Sequence, residues 1–292
     1  MKTAGVDIGG KSIKLGIFDD DMNLIHRDSV ITPINQPERV ADLIADMLRG
    51  HEVDCVGVGT AGSVDNRTHV VSASNLGWKN APLLKLLADR LSLPVSVDND
   101  AQAALMAEWY DGACQGVECA VYLTLGTGIG GALILDGKPW RGHNNLAAEF
   151  GHIITHADGL LCACGRRGCF ERYGSASALE RMSGGRTARE IADAAKAGDP
   201  DALHIFDRYV RELCIGMNSL IMAFDPDVIV LGGGVSGAGK FLSDLCTQEL
   251  NHVFAATHNP LYCEIRIAHH QNDAGILGAA LLGKHRYDEG RI

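Results

Sequence analysis

Short apolar runs broken by glycine alternate along this chain with longer stretches whose apolar positions recur at a helical period. Ala4-Gly5-Val6-Asp7-Ile8-Gly9-Gly10-Lys11-Ser12-Ile13-Lys14-Leu15-Gly16-Ile17-Phe18 reads as strand, glycine turn, strand. A helix-like stretch follows at about 37–50, then a strand, Cys55–Gly59, that ends in Thr60-Ala61-Gly62-Ser63. A helix around 82–92 leads to the strand Pro94–Val97. The next helix begins just after Asp98-Asn99-Asp100 and keeps a period near 3.6 through Ala104, Leu105, Glu108 and Trp109.

A second strand–glycine–strand unit starts at Ala120–Leu125 and returns through Ala132–Leu135. Two long helical stretches, roughly 187–197 and 201–223, come next, and Thr187 with Glu190 has the spacing of a capping box. The strand Val228–Leu231 then runs into Gly232-Gly233-Gly234. The last segment, from Asn272 to Leu282, is a small-residue helix suited to close packing. A strand–turn–strand unit therefore opens each half, an internal echo that predicts two related lobes with a cleft between them, broken near residue 118. The expected division is a first lobe over 1–118, completed by a C-terminal helix at 280–292, and a second over 119–279.

At 292 residues the chain is long enough for two modest lobes, and 46% hydrophobic with 21% charged residues is ordinary for an α/β protein. Its 35 glycines cluster instead of spreading, which marks purpose-built turns. No basic leader with an apolar core and no long apolar run occurs, so neither a signal peptide nor a membrane partner is expected. Nine cysteines, most of them isolated among apolar neighbours (Cys55, Cys119, Cys214, Cys263), read as small core residues and place the protein in the cytoplasm. A net charge of −10 argues against a nucleic-acid partner. It does not exclude a nucleotide, whose phosphates backbone N–H groups and Mg²⁺ can hold.

Gly126-Thr127-Gly128-Ile129-Gly130-Gly131 satisfies the dinucleotide pattern G-x-G-x-x-G. That reading needs a helix directly after the glycines, and here Ala132-Leu133-Ile134-Leu135 continues as a strand, so the NAD reading fails. Two readings remain: a tight hairpin presenting N–H groups and the Thr127 hydroxyl to phosphate oxygens, or an ordinary glycine hairpin. Asp7-Ile8-Gly9-Gly10 forms a similar turn in the other half, and two such turns facing one cleft could grip a triphosphate, with Asp7 holding Mg²⁺ directly or through water. No P-loop motif is present.

His152, Cys162, Cys164 and Cys169 make the pattern H-x₉-C-x-C-x₄-C, three thiolates and an imidazole on a short loop, which matches a closed, structural Zn²⁺ site. Gly165 and Gly168 allow the sharp turns that would gather the sulfurs. Asp98, Asn99 and Asp100 at a helix start serve equally well as N-capping residues or, for Asp100, as a base facing the cleft.

Taken together these segments resemble the ROK family (repressors, open reading frames and kinases) of the actin-like ATPase superfamily. The resemblance runs from Asp7 to the Asn272–Leu282 helix. Its most specific part is Glu149-Phe150-Gly151-His152 followed by Cys162-Ala163-Cys164-Gly165-Arg166-Arg167-Gly168-Cys169-Phe170-Glu171. It implies an α/β, two-lobed actin-like or ribonuclease H-like ATPase fold, with the active-site cleft between the lobes. It implies ATP-dependent phosphorylation of a hexose with ATP, Mg²⁺ and a structural Zn²⁺, in a homodimer or homotetramer.

By the same resemblance Asp100 is the catalytic base and Asn99 a sugar ligand. Glu149, His152 and Glu171 bind sugar hydroxyls, His152 also ligating zinc through its other ring nitrogen, while backbone near Gly62 and Asn75 completes the sugar pocket. The nucleotide falls to Asp7, Gly9, Gly10, Lys11, Gly126, Thr127, Gly128 and Gly130, with Gly232, Gly233 and Gly234 beside the adenosine. One position departs from the family pattern, which places threonine after the first two glycines where Lys11 stands here. Its ammonium could replace the lost hydroxyl as a point charge on phosphate.

Glucose is the first sugar implied, ahead of N-acetylmannosamine, N-acetylglucosamine, mannose, fructose and allose. Glu149, His152 and Glu171 from one region suit adjacent hydroxyls near C1 to C3, so Asp100 from the other lobe should meet the C6 hydroxyl. A repressor would add a helix-turn-helix, and only six residues precede Asp7 here. A noncatalytic sugar sensor is the remaining alternative.

Overall fold

The computed structural model describes residues 1–65, 70–256, 260–270, 273–288 and 290. Asn272, the first residue of the last predicted helix, and residues 289, 291 and 292 of the predicted C-terminal segment lie outside them. Contacts divide the chain into two compact units. Met1–Asp111, Arg141–Ala147 and Asn272–Ile292 form the first; Gly112–Trp140 and Ala148–Gln271 form the second.

The first unit opens with β1 (Thr3–Ile8) and β2 (Ser12–Phe18), an antiparallel hairpin with Asp7 opposite Lys14. β3 (Leu24–Ile31) extends it. Helix α1 (Pro37–Leu48) starts on Pro37, whose missing N–H costs nothing in a first turn, and turns Val40, Ala41, Ile44, Met47 and Leu48 inward. β4 (Cys55–Thr60) is buried along its whole length because it runs parallel to β1 in the middle of the sheet. A small antiparallel sheet of β5 (Ser63–Val64), β6 (Val70–Ala73) and β7 (Trp78–Ala81) follows, then α2 (Leu83–Ala88), β8 (Val95–Asn99) and α3 (Asp100–Asp111). The main sheet has the order β3-β2-β1-β4-β8.

The C-terminal helix, Ala274–Asp288, closes this unit by backbone-to-backbone packing. A Cβ on Gly278 would overlap the Ala103 carbonyl oxygen, and one on Gly57 would overlap that of Ala279. Small residues in this helix are therefore what let it lie against α3 and β4.

The second unit repeats the plan. β9 (Ala120–Leu125) and β10 (Ile129–Leu135) form the hairpin, and β11 (Lys138–Pro139) extends it. After α4 (Glu171–Gly174) and α5 (Ala176–Met182) comes α6 (Ala188–Lys196), whose predicted capping box is present: Thr187 Oγ1 accepts from Glu190 N at 3.2 Å, and Glu190 Oε2 accepts from Thr187 N at 2.7 Å. Helix α7 (Pro200–Phe224) is capped by Asp199, and Asp225 ends it in the left-handed conformation. β12 (Val228–Gly232), α8 (Lys240–Ala255) and β13 (Glu264–Ile267) complete a sheet ordered β11-β10-β9-β12-β13. In both sheets two antiparallel pairings are followed by two parallel ones, the internal echo expressed as topology.

Leu123, Leu133, Phe170, Phe206, Tyr209, Leu213, Ile229 and Leu242 share the second unit's core. The buried Tyr209 hydroxyl donates to the Gly174 carbonyl at 2.7 Å, so its burial leaves no polar group unpaired there. Among the described residues no helix is long and apolar enough to cross a membrane.

Candidate active site

In the first unit the Gly9-Gly10 turn joins β1 to β2 as predicted, closed by Gly9 N donating to Ser12 O at 3.0 Å. Thr32, which the sequence did not single out, braces it: its hydroxyl donates to Gly9 O at 2.7 Å and its N–H to Lys11 O at 3.2 Å. The Lys11 side chain is exposed. Asn75, also exposed and on a single 3₁₀ turn (Ser74–Leu76), lies against Gly10, where a Cβ would fall 3.3 Å from its own. Asp7 is half-buried at the end of β1, and burial raises its carboxyl above the usual range although Lys14 stands nearby.

The β8–α3 junction brings Gly62, Asn99 and Asp100 together. Asn99 is the residue that caps α3: its Oδ1 accepts from Ala101 N at 2.8 Å and Gln102 N at 3.3 Å. Its Nδ2 donates to the Gly62 carbonyl at 2.8 Å, so both ends of the amide are fixed. Asp100 occupies the first turn of α3, half-buried, with its Oδ1 accepting from Ala101 N at 2.8 Å. Asp98 has a different office from capping the helix. It is buried, with Oδ2 accepting from Arg141 Nε at 2.6 Å and from an Arg286 Nη at 3.2 Å. Neither arginine was legible as a partner, since each lies far from Asp98 in sequence.

In the second unit the segment after Gly126-Thr127-Gly128 is a strand, β10, and not a helix, as the sequence required for rejecting a dinucleotide site. Gly126 N donates to Gly128 O at 3.0 Å, Thr127 is exposed, and Gly130 sits inside β10 opposite Thr124. The second glycine run lies beside this turn: a Cβ on Gly233, whose φ is +81°, would fall 2.6 Å from Leu125 N. Gly232 ends β12, and Gly234 begins a 3₁₀ turn, Gly234–Ala238, in which Ser236 Oγ donates to Gly233 O at 2.7 Å.

Glu149 is exposed and precedes a 3₁₀ turn, Phe150–His152, held against β10. That closeness needs glycine at 131, because a Cβ there would overlap the Ala148 carbonyl oxygen and come within 2.6 Å of the Phe150 ring. The turn aims His152 Nδ1 at the cysteines. One ring nitrogen of His152 and the sulfurs of Cys162, Cys164 and Cys169 all lie within 4.8 Å of one another. Cys164 and Cys169 are 3.5 Å apart, and Cys162 is 4.0 Å from His152 Nδ1. A tetrahedral Zn²⁺ with bonds near 2.3 Å sets its ligand atoms roughly 3.8 Å apart, so the donor set and spacing fit that ion.

Glu171 touches both parts of this unit's site. Its Oε1 accepts from the Cys162 thiol at 2.9 Å and lies 3.9 Å from His152 Nδ1. Its Oε2 reaches the Gly126–Gly128 turn, where a Cβ on Gly128 would fall 2.5 Å from it. Burial pushes the Cys162 thiol up to about 12, and the hydrogen bond to Glu171 acts in the same direction. Behind the loop, His156 stacks on Tyr173 at 3.9 Å between ring centres and places Nε2 3.3 Å from Glu212, a buttress the sequence did not reveal.

The sequence profile of the ROK family matches residues 3–286. The chain is similar to a glucokinase of Streptomyces coelicolor, with 35% identity over 97% of this chain and 97% of that protein. Among solved structures it is similar to a ROK family glucokinase from Streptomyces griseus in complex with glucose and AMPPNP (TM-score 0.83, 35% identity, 98% of this chain and 100% of that one). It is also similar to a ROK hexokinase from Thermus thermophilus (TM-score 0.88, 34% identity, 99% and 100%). The fold is that of the actin-like ATPases.

Proposed function

The chain belongs to the ROK family, and we propose that it is an ATP-dependent hexose kinase that phosphorylates glucose at the C6 hydroxyl. The observation that carries this reading is the position of Glu171, one carboxylate in reach of both the Gly126–Gly128 turn and the His152–cysteine cluster. An acid that binds a sugar hydroxyl and a turn that binds phosphate are there fixed to each other, which is what positioning for phosphoryl transfer demands.

In this reading Asp100 accepts the proton of the attacking hydroxyl, late and without needing to be a strong base. Asn99, Asn75 and the backbone at Gly62 hold the sugar. Glu149, Glu171 and the Nε2 of His152 take its ring hydroxyls, His152 Nδ1 being turned toward the sulfurs. Gly9, Gly10, Lys11, Gly126, Thr127, Gly128 and Gly130 serve the phosphates, and Gly232 to Gly234 the adenosine. Asp7 would hold Mg²⁺, which supplies neutralising charge at the phosphates when bound. Zn²⁺ on His152, Cys162, Cys164 and Cys169 would have no open position, so its work is to fix the loop that carries Glu171. The same reading makes the protein a cytoplasmic homo-oligomer.

A coupled ADP-release assay over eight to ten sugars tests the activity, with glucose expected to give the highest kcat/KM. Phosphorus NMR of the product tests the regiochemistry. A resonance coupled to the C6 protons is expected, and 6-deoxyglucose should compete without accepting phosphate. A resonance coupled to the C1 proton would mean that the sugar sits reversed and would overturn the pocket roles given above.

A further inference from the structure

Asp98 is a buried carboxylate to which the proposed reaction gives no role. Its side chain is only 4% exposed, a position that an anion tolerates only when paired. Both of its oxygens are engaged. Oδ1 accepts from Asn99 N at 2.9 Å, on the edge strand β8, and Oδ2 accepts from Arg141 at 2.6 Å and Arg286 at 3.2 Å. Arg141 opens the returning segment Arg141–Ala147, which has a second anchor where Asn145 Nδ2 donates to Val64 O at 2.7 Å. Arg286 comes from the last turn of the C-terminal helix. One nitrogen of Arg141, Nη2, is buried with no hydrogen-bond partner among the described residues, while its Nε is paired with Asp98.

The geometry points to Asp98, with Arg141 and Arg286, as a positioning device for Asn99 and Asp100; this rests on the kinase reading given above. Asn99 has its amide committed at both ends, to the start of α3 and to Gly62, and the peptide before it carries the N–H that Asp98 Oδ1 accepts. Asp98 fixes that peptide, and the two arginines fix Asp98. Asp100 follows directly on the same backbone, so an error at Asp98 is carried to the base. A misplacement of about 1 Å in a reacting group can cost roughly 10²-fold in rate. The arginines also neutralise a carboxylate two residues from the base, and Asp98 without them would be a like charge at close range.

The experiment measures kcat and both KM values for Asp98→Asn, Arg141→Ala, Arg286→Ala and the Asp98→Asn/Arg141→Ala pair, with melting temperatures for all four. Asp98→Asn keeps the acceptor for Asn99 N and removes the charge that holds the arginines. We expect kcat to fall by about 10-fold or more in Asp98→Asn and Arg141→Ala, with both KM values within about threefold. The double variant should fall little further than either single one, because both remove the same contact. Arg286→Ala, which loses the longer contact, should show a smaller loss and serves as the variant that folds if the others do not. Folded variants with the kcat of the starting enzyme, or losses that multiply in the double variant, would overturn the positioning role. Absence of ADP release from the unaltered protein with every sugar is a separate outcome, which would instead sink the kinase reading.

Discussion

The Asp7 carboxylate lies 3.9 Å from the Lys14 ammonium, yet its surroundings are buried enough to raise its pKa in spite of that neighbour. Folding therefore favours the protonated form of Asp7. Its contribution to stability is fully present below the ordinary carboxylate pKa and is lost as pH rises through the raised folded value. Above that value the unliganded protein carries an ionised group that its fold disfavours. Asp7→Asn should raise the melting temperature of unliganded protein there, with the advantage shrinking toward about pH 4. Turnover should drop sharply in the same variant, since the carboxylate is the proposed Mg²⁺ ligand. A variant with a lower melting temperature across the range would contradict this account.

Two glycines of one turn should differ in their tolerance. A Cβ on Gly128 would fall 2.5 Å from Glu171 Oε2, whereas one on Gly126 meets nothing within 4 Å. Gly128→Ala should displace the carboxylate and raise the KM for glucose by about tenfold or more, roughly the loss of one charged hydrogen bond. Gly126→Ala keeps the same N–H and should stay within about twofold of the starting enzyme. Equal effects of the two, measured by steady-state kinetics, would show that Glu171 does not depend on this contact.

Four closely spaced N and S donors predict about one Zn²⁺ per chain in protein purified without added metal. Elemental analysis should find it, and Cys164→Ser should lose zinc and sugar affinity together. A folded, active sample with almost no metal would remove zinc from the reading.

Asp100→Asn should lower kcat by roughly 10² to 10⁴ and leave sugar affinity within about tenfold, the usual worth of a positioned base. Turnover at the starting level would place the base elsewhere.

Lys11 is exposed, while its backbone carbonyl is tied to Thr32. Lys11→Ala removes the ammonium and keeps the turn, so the KM for ATP should rise more than that for glucose. Unchanged constants for both would return this side chain to the solvent.

Much of this protein was settled by near neighbours in sequence. The hairpins at Gly9-Gly10 and Gly126–Gly128, the capping box at Thr187 and Glu190 and the cluster from His152 to Cys169 each depend on residues only a few positions apart, or within one loop. Their geometry follows from spacing and from glycine's freedom, which is why a sequence alone displays them. Strand β3 escaped notice because an edge strand pairs on one side and remains largely exposed, so no alternation marks it. Helix α8 and strand β13 were likewise missed.

Only the tertiary structure decided what the residues around Asp100 do. Asp98, Asn99 and Asp100 were interchangeable as caps in sequence. Folding made Asn99 the cap and buried Asp98 against arginines 43 and 188 positions away. The return of Arg141–Ala147 to the first unit and the approach of Glu171 to Gly128 are of the same kind. A local pattern carries the free energy of its own turn, but a buried charge obtains its partner from whichever distant segment packing delivers, and no spacing rule encodes that delivery.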